Sequence, residues 1–460
     1  MINFWDFKAW GGFNVISVLL VSLLVASMLK RAFPILKASL IPTSVLGGGI
    51  LIVVAGIYKA ITGDIMFDTA FFGGNGTATL ELITYHTLAL GFIASTFKPV
   101  QGKMTKKRTI EIFNTGVTTV ATYLLQAVVG MGITMIAALV IDNFFEAAGI
   151  LLPFGYGQGT GQALNYGGIY EADFGFEGGR SFGLTIAALG FLSASIGGVI
   201  HLNILRRKGK IQPKDPHAKQ ILADQIQAED ESPMQESMDK MTTQIALIGL
   251  SYMIAYLLML VLGSLLPGMK SVIYGFNFLL GVLAATLVKV IMNWMRKHNI
   301  IRREHRNYFL MTRASNFFFD LMVVAGIAAI RLSALERYWG IMLILGVVGL
   351  VITYIYNLII ARKLFPEYPE EQFLTMYGML TGTASTGVIL LREIDGDFKT
   401  PAADNMVYQN FPAIVFGFPL MLLATLAPAK PMLTFGILCG FFLVMNVILF
   451  RSLIFRRKKK

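Results

Sequence analysis

Charge is what this chain of 460 residues most lacks: Asp, Glu, Lys and Arg together make up 14% of it, against 55% hydrophobic residues. A soluble domain carries about 25% charged residues, and a surface this poor in charge does not stay in water, so the expected solvent is a bilayer. Cysteine is nearly absent, and the single Cys439, inside an apolar run, excludes an intrachain disulfide. Histidine is sparse. His86, His201, His217, His298 and His305 are scattered without the spacing of metal ligands. The Gly-x-Gly-x-x-Gly-like text near Gly157 follows no strand signal, which excludes a dinucleotide fold by context. With no acid, base or metal constellation in view, neither an enzyme nor a resident cofactor is expected. The net charge of +12 raises nucleic acid as a partner, but the basic residues lie in short loops beside apolar runs, where they orient a membrane protein instead.

Crossing hydrocarbon takes about 20 apolar residues, and such runs recur at 13–29, 41–61, 81–97, 112–141, 181–205, 243–266, 271–293, 316–332, 338–361, 406–427 and 432–450. The fold class expected is therefore an all-α polytopic membrane protein of about eleven transmembrane helices, in contact with lipid. The first run ends at Lys30 and Arg31 and lacks a basic leader and a small-residue cleavage site, so it is expected to be retained. With the N-terminus outside and sides alternating, 31 of the 39 Lys and Arg residues fall inside and 7 outside, with Lys289 within a span. An outside N-terminus and a cytoplasmic C-terminus follow. The one long polar segment, 208–240, falls inside and reads as a tether between two halves.

Each half, 1–207 and 241–428, holds five spans and, after its fourth, a glycine- and threonine-rich stretch too polar for a span and too apolar for an exposed loop. These stretches, near 150–169 and 372–392, are candidate re-entrant hairpins. Five spans per half force the second half to enter the membrane from the opposite side, the geometry of an inverted repeat. A weak likeness between Leu88–Ser95 in the third span and Met322–Ala329 in the eighth agrees with it. Residues 429–460 form an extra helix and a basic tail.

The first hairpin contains Gly157-Gln158-Gly159-Thr160-Gly161-Gln162 and Asn165, with glycine too frequent for an unbroken helix. The second contains Thr381-Gly382-Thr383-Ala384-Ser385-Thr386-Gly387. Irregular backbone at membrane depth is tolerated only where protein, water or ligand satisfies it. Free amides at half-helix N-termini suit a carboxylate, and carbonyls with hydroxyls suit sodium. Gln158, Gly159, Thr160, Gly161, Gln162, Asn165, Thr383, Ala384, Ser385 and Thr386 are the expected substrate contacts. Thr381, Gly382, Asn316 and Asp320 are the ion candidates, Asp320 because an intramembrane acid is functional by default and because it would favour proton coupling. Glu81 and His86 read as interfacial. Arg180 reads either as a headgroup anchor or as a partner for the substrate carboxylate.

At Ile41-Pro42-Thr43-Ser44-Val45-Leu46-Gly47-Gly48-Gly49, at Gly157–Gly161 and at Thr381–Gly387 the sequence resembles the glutamate:sodium symporter family of bacterial inner membranes. That family usually shows histidine in place of Gln158 and proline in place of Gly387, and commonly ends after ten spans. The resemblance implies a homodimer in which fixed scaffold helices hold a transport core that carries both hairpins across the membrane, importing L-glutamate with sodium. A proton-coupled transporter of another carboxylate with the same architecture, or a channel, are the alternatives.

Overall fold

A computed structural model of the protein describes residues 3–97, 105–210, 238–267, 270–275, 277–301, 303–395 and 399–454. Most of the expected tether, 211–237, lies outside the described residues. The first half consists of α1 (Phe7–Ala32), α2 (Thr43–Thr62), α3 (Gly76–Thr96), α4 (Lys106–Ala138), α5 (Leu151–Gln158), α6 (Thr160–Phe174) and α7 (Gly179–Arg207). The second consists of α8 (Lys240–Leu265), α9 (Asn277–Lys297), α10 (Tyr308–Ala328), α11 (Leu332–Leu364), α12 (Pro369–Thr381), α13 (Ala384–Leu391) and α14 (Asn410–Leu426), followed by α15 (Pro431–Leu449). Local chemistry sets several starts. Thr105, Asp239 and Asn307 accept hydrogen bonds from the first free amides of α4, α8 and α10.

Among the described residues nine helices are long and apolar enough to cross a bilayer, and ten if Ala402–Tyr408 and Pro412–Leu426, bent by 52°, count as one span. Pro412 explains that bend, since it has no N–H to donate and its ring crowds the preceding turn. The expected third span, 81–97, falls on α3, which has the length but not the apolarity, because Glu81, Tyr85, His86 and its threonines dilute it.

Helix contacts pair across the two halves: α3 packs on α9 and α10 packs on α2, while α4 meets α11 and α3 meets α10. Helices α1, α2, α8 and α9 bury little of their surface, whereas α4, α7 and α10 are mostly buried. The burial order makes α7 the axis around which the rest is arranged.

One stripe of glycines on α7 does much of that arranging. A Cβ at Gly183 would come within 2.3 Å of Ala163 O on α6, and one at Gly190 within 2.5 Å of Thr381 O on α12. Neither backbone atom can yield. Gly179 meets Gly167 in the same way, and Gly197 meets the Tyr377 ring. Two different segments are thus seated on successive turns of one helix, one toward its Gly179 end and the other toward its Arg207 end.

Candidate substrate site at the facing tips

Gly159 interrupts α5 and α6 with φ +79° and ψ −170°, a backbone state essentially restricted to glycine. The chain then doubles back. Phe154 stacks on Tyr166 with ring centroids 4.0 Å apart, although twelve residues of straight helix would separate them by about 18 Å. Phe145 likewise meets Tyr170 at 5.4 Å. The second break lies at Gly382–Thr383, both in extended φ. Its limbs also fold together, since a Cβ at Gly378 would sit 2.8 Å from Gly387 Cα.

The two breaks touch. A Cβ on Gly159 would lie 3.7 Å from Thr383 Cγ2 and 3.9 Å from Gly382 O. Neither α6 nor α13 has a side-chain cap at its start, so the first amides of both helices are free of intrahelical partners and carry partial positive charge at one place.

Around this junction the expected site residues divide into groups. Thr160 is fully buried and donates to Met322 O at 3.2 Å. Gly161 lies against Leu88, so Leu88 and Met322, which occupy matching places in the internal sequence likeness, both flank the first tip. Gln162 is buried, its Oε1 accepts from Asn165 Nδ2 at 3.4 Å, and its Nε2 finds no acceptor among the described residues. Asn165 also donates to Gly275 O. Gln158 is half-buried at the end of α5. Thr383 and Thr386 share a 3.3 Å hydroxyl contact, Thr386 buried and Ala384 exposed. The side chain of Ser385 lies outside the described residues. Thr381 is buried and donates to Tyr377 O at 2.6 Å.

Asn316 and Asp320 do not join this group. Met322 faces the first tip, and a residue two positions earlier on a helix points about 160° away. Both Asn316 and Asp320 are exposed on that other face, with Ser44 of α2 within hydrogen-bonding reach of Asp320. Arg180 is engaged near the start of α7, 3.6 Å from Glu81 and 3.5 Å from Glu171, while Arg331 also reaches Glu81 at 3.7 Å. His86 meets Tyr252 at 2.7 Å. The sequence reading missed Gln126 and Asn357, buried amides beneath the second tip. A short repeated motif carries both, and matching the fourth spans of the two halves would have found it.

These observations define a class: a multi-pass helical membrane protein in which two broken segments meet tip to tip inside the bundle. Within that class the chain belongs to the sodium/glutamate symporter family, whose model matches residues 11–369. The match takes in the whole first tip and stops at the start of α12. No curated protein matches the chain.

Proposed function

We propose that the protein is a secondary transporter that couples sodium entry to uptake of L-glutamate or a related small carboxylate. The observation that carries this reading is the contact of Gly159 with Gly382 and Thr383, which joins two uncapped helix starts with the buried donor of Gln162. A carboxylate bound there gains several amide hydrogen bonds and a favourable dipole end. The C-terminal ends of α5 and α12 bring carbonyls of opposite polarity to the same junction, where a cation can sit.

The two doubled-back segments are proposed as re-entrant hairpins, one entering from each side, with α7 running past both. The exchanged contacts of α3 with α9 and α10 with α2 support two inverted halves. The less buried α1, α2, α8 and α9 are the proposed scaffold and dimer surface, and the helices holding the tips are the moving core of an elevator. Orientation follows the charge bias, with the N-terminus outside and the C-terminus in the cytoplasm of a bacterial cell. Proton coupling through Asp320 draws no support from its place on the far face of α10.

Purified protein in liposomes should accumulate labelled glutamate under an inward sodium gradient and not when choline replaces sodium at fixed pH. Thr160→Ala with Thr383→Ala should reduce that uptake severely. Unchanged uptake in this double variant rules out the tip site, and uptake indifferent to sodium rules out the coupling.

A further inference from the structure

The fourth spans of the two halves carry a repeat of their own: Thr122-Tyr123-Leu124-Leu125-Gln126 on α4 and Thr353-Tyr354-Ile355-Tyr356-Asn357 on α11. A threonine and an amide four residues apart share one helical face, and here the two faces meet. Gln126 Nε2 donates to Thr353 Oγ1 at 2.8 Å, and Asn357 Nδ2 lies 3.4 Å from Thr122 Oγ1, so each amide reaches the threonine of the opposite motif. Each amide also donates to a carbonyl, Gln126 to Leu380 O at 3.0 Å and Asn357 to Thr353 O at 2.9 Å. Carbonyls only accept, so flipping either amide would set oxygen against oxygen. The orientation of both amide oxygens is therefore determined.

Those two oxygens, Gln126 Oε1 and Asn357 Oδ1, accept no hydrogen bond among the described residues. Gln126 is 0% and Asn357 1% exposed. A buried acceptor left without a donor is costly, and finding two, one from each copy of a repeated motif at a single helix crossing, points to a shared ligand. The ligand must be a donor or a cation. The crossing lies directly under the end of α12, where Leu380 belongs to the last turn, whose carbonyls have no intrahelical partner and bear partial negative charge. Neutral amide oxygens beside a half-helix C-terminus, with no carboxylate among the groups named, suit a monovalent hard cation better than a divalent one, which draws on carboxylates.

We propose that Gln126 Oε1 and Asn357 Oδ1 are ligands of the coupling sodium ion, held between α4 and α11 beneath the second tip. This rests on the transport reading above and adds to it the residues that take the ion. Because Gln126 also holds Leu380 O, an ion at its oxygen steadies the end of α12 and with it the Gly382–Thr383 break. Substrate and ion would then assist each other through one short segment, without touching.

The test uses full-length protein, uptake in liposomes and sodium-dependent thermal stabilisation in detergent without glutamate, with potassium as control. Gln126→Leu and Asn357→Leu should each raise the sodium concentration for half-maximal uptake by about tenfold or more, the loss of one ligand at ~1.4 kcal/mol per decade. In Asn357→Leu, which leaves Gln126 on Leu380 O, the glutamate KM at saturating sodium should change far less, and in both variants the sodium-dependent rise in Tm should move to correspondingly higher sodium. Where a leucine variant does not purify as a single species, Gln126→Glu and Asn357→Asp decide, since an added negative charge at a ligand position should lower the sodium requirement. Wild-type sodium dependence in these variants would show that the oxygens hold only water or brace the helices, and would overturn the site. Wild-type protein that ignores sodium altogether would overturn the transport reading instead.

Discussion

The two doubled-back segments are alike in plan and different in build. The first turns on Gly159 in a left-handed state and is walled by paired rings, Phe154 stacked on Tyr166 and Phe145 tilted against Tyr170. The second turns on Gly382, at φ −144° and ψ −108°, and an extended Thr383, and is lined by Thr381, Thr383 and Thr386. Their long limbs, α6 and α12, both lie along α7, and so does the short limb α5, while α13 touches the same helix through Leu390 beside Gly198. The contrast suggests a division of work: a rigid first tip that supplies fixed donors, and a hydroxyl-lined second tip whose position depends on what it binds.

Substituting the two tip glycines is the most direct way to break this comparison. Gly159→Ala forces a β-carbon into a backbone state that L-residues avoid, at about 1–3 kcal/mol of strain, at the point where the tips touch. Uptake should be abolished, with little expressed protein lost on size-exclusion chromatography. At Gly382 the added carbon meets the rotatable Thr386 Oγ1 at 2.9 Å and Gly378 O at 3.1 Å, so Gly382→Ala should keep a measurable fraction of uptake. Equal loss in both would erase the distinction between a rigid and an adjustable tip.

Next in size are the seats on α7. Gly183→Val and Gly190→Val each push against a backbone carbonyl, and overpacking of this kind costs about 1–3 kcal/mol. Each should lower Tm by several degrees. Because unseating either segment also breaks the contact at Gly159, the double variant should lose less than the two single losses combined. Additive losses, as for independent sites, would mean that the tips do not support each other.

At the first tip Gln162 offers a finer measure. Its buried Nε2 has no acceptor among the described residues, so Gln162→Met removes an unsatisfied donor and should leave Tm unchanged or raised. If that donor meets the substrate carboxylate, the glutamate KM should rise by about ten- to a hundredfold, in line with the roughly 1.5–3 kcal/mol of a hydrogen bond to a charged group. An unchanged KM would move the carboxylate to the second tip.

Much of this was legible in the sequence because the breaks are written in glycine. Clusters at 155–161 and 382–387 are too rich in glycine for unbroken helices, and their matching places after the fourth span of each half made them the expected pair, whose breaks meet at Gly159, Gly382 and Thr383. What the sequence hid was direction around a helix. Asp320 is an acid inside an apolar run and drew attention for that reason, yet it stands two positions before Met322, which suffices to turn it away from the tips. Gln126 and Asn357 sit among threonines and tyrosines that look like ordinary polar dilution, and their meaning appears only when α4 and α11 cross. Nothing local says that Gly183 and Gly190 serve different partners.

The smallest expected effect separates the bases of the two segments. The first is anchored by the ion pair of Glu171 and Arg180 at 3.5 Å. The second is anchored by Glu370, which accepts from His201 Nε2 at 2.8 Å and from Lys210 at 3.3 Å. Burial alone would raise the Glu370 carboxyl, but the His201 hydrogen bond, with Lys210 assisting, holds it below its usual range. A depressed carboxyl stabilises the fold fully above its unfolded pKa and loses that contribution as pH falls through the folded value. Stability should therefore decline on acidification partly through the base of α12. Glu370→Gln keeps a carbonyl acceptor but no charge, so it should cost roughly 1 kcal/mol at neutral pH and flatten the acid limb of a Tm-against-pH curve. An acid limb as steep as in the wild type would show that the second segment is not held at its base by this carboxylate, and the adjustability inferred for its tip would then extend along the whole of α12.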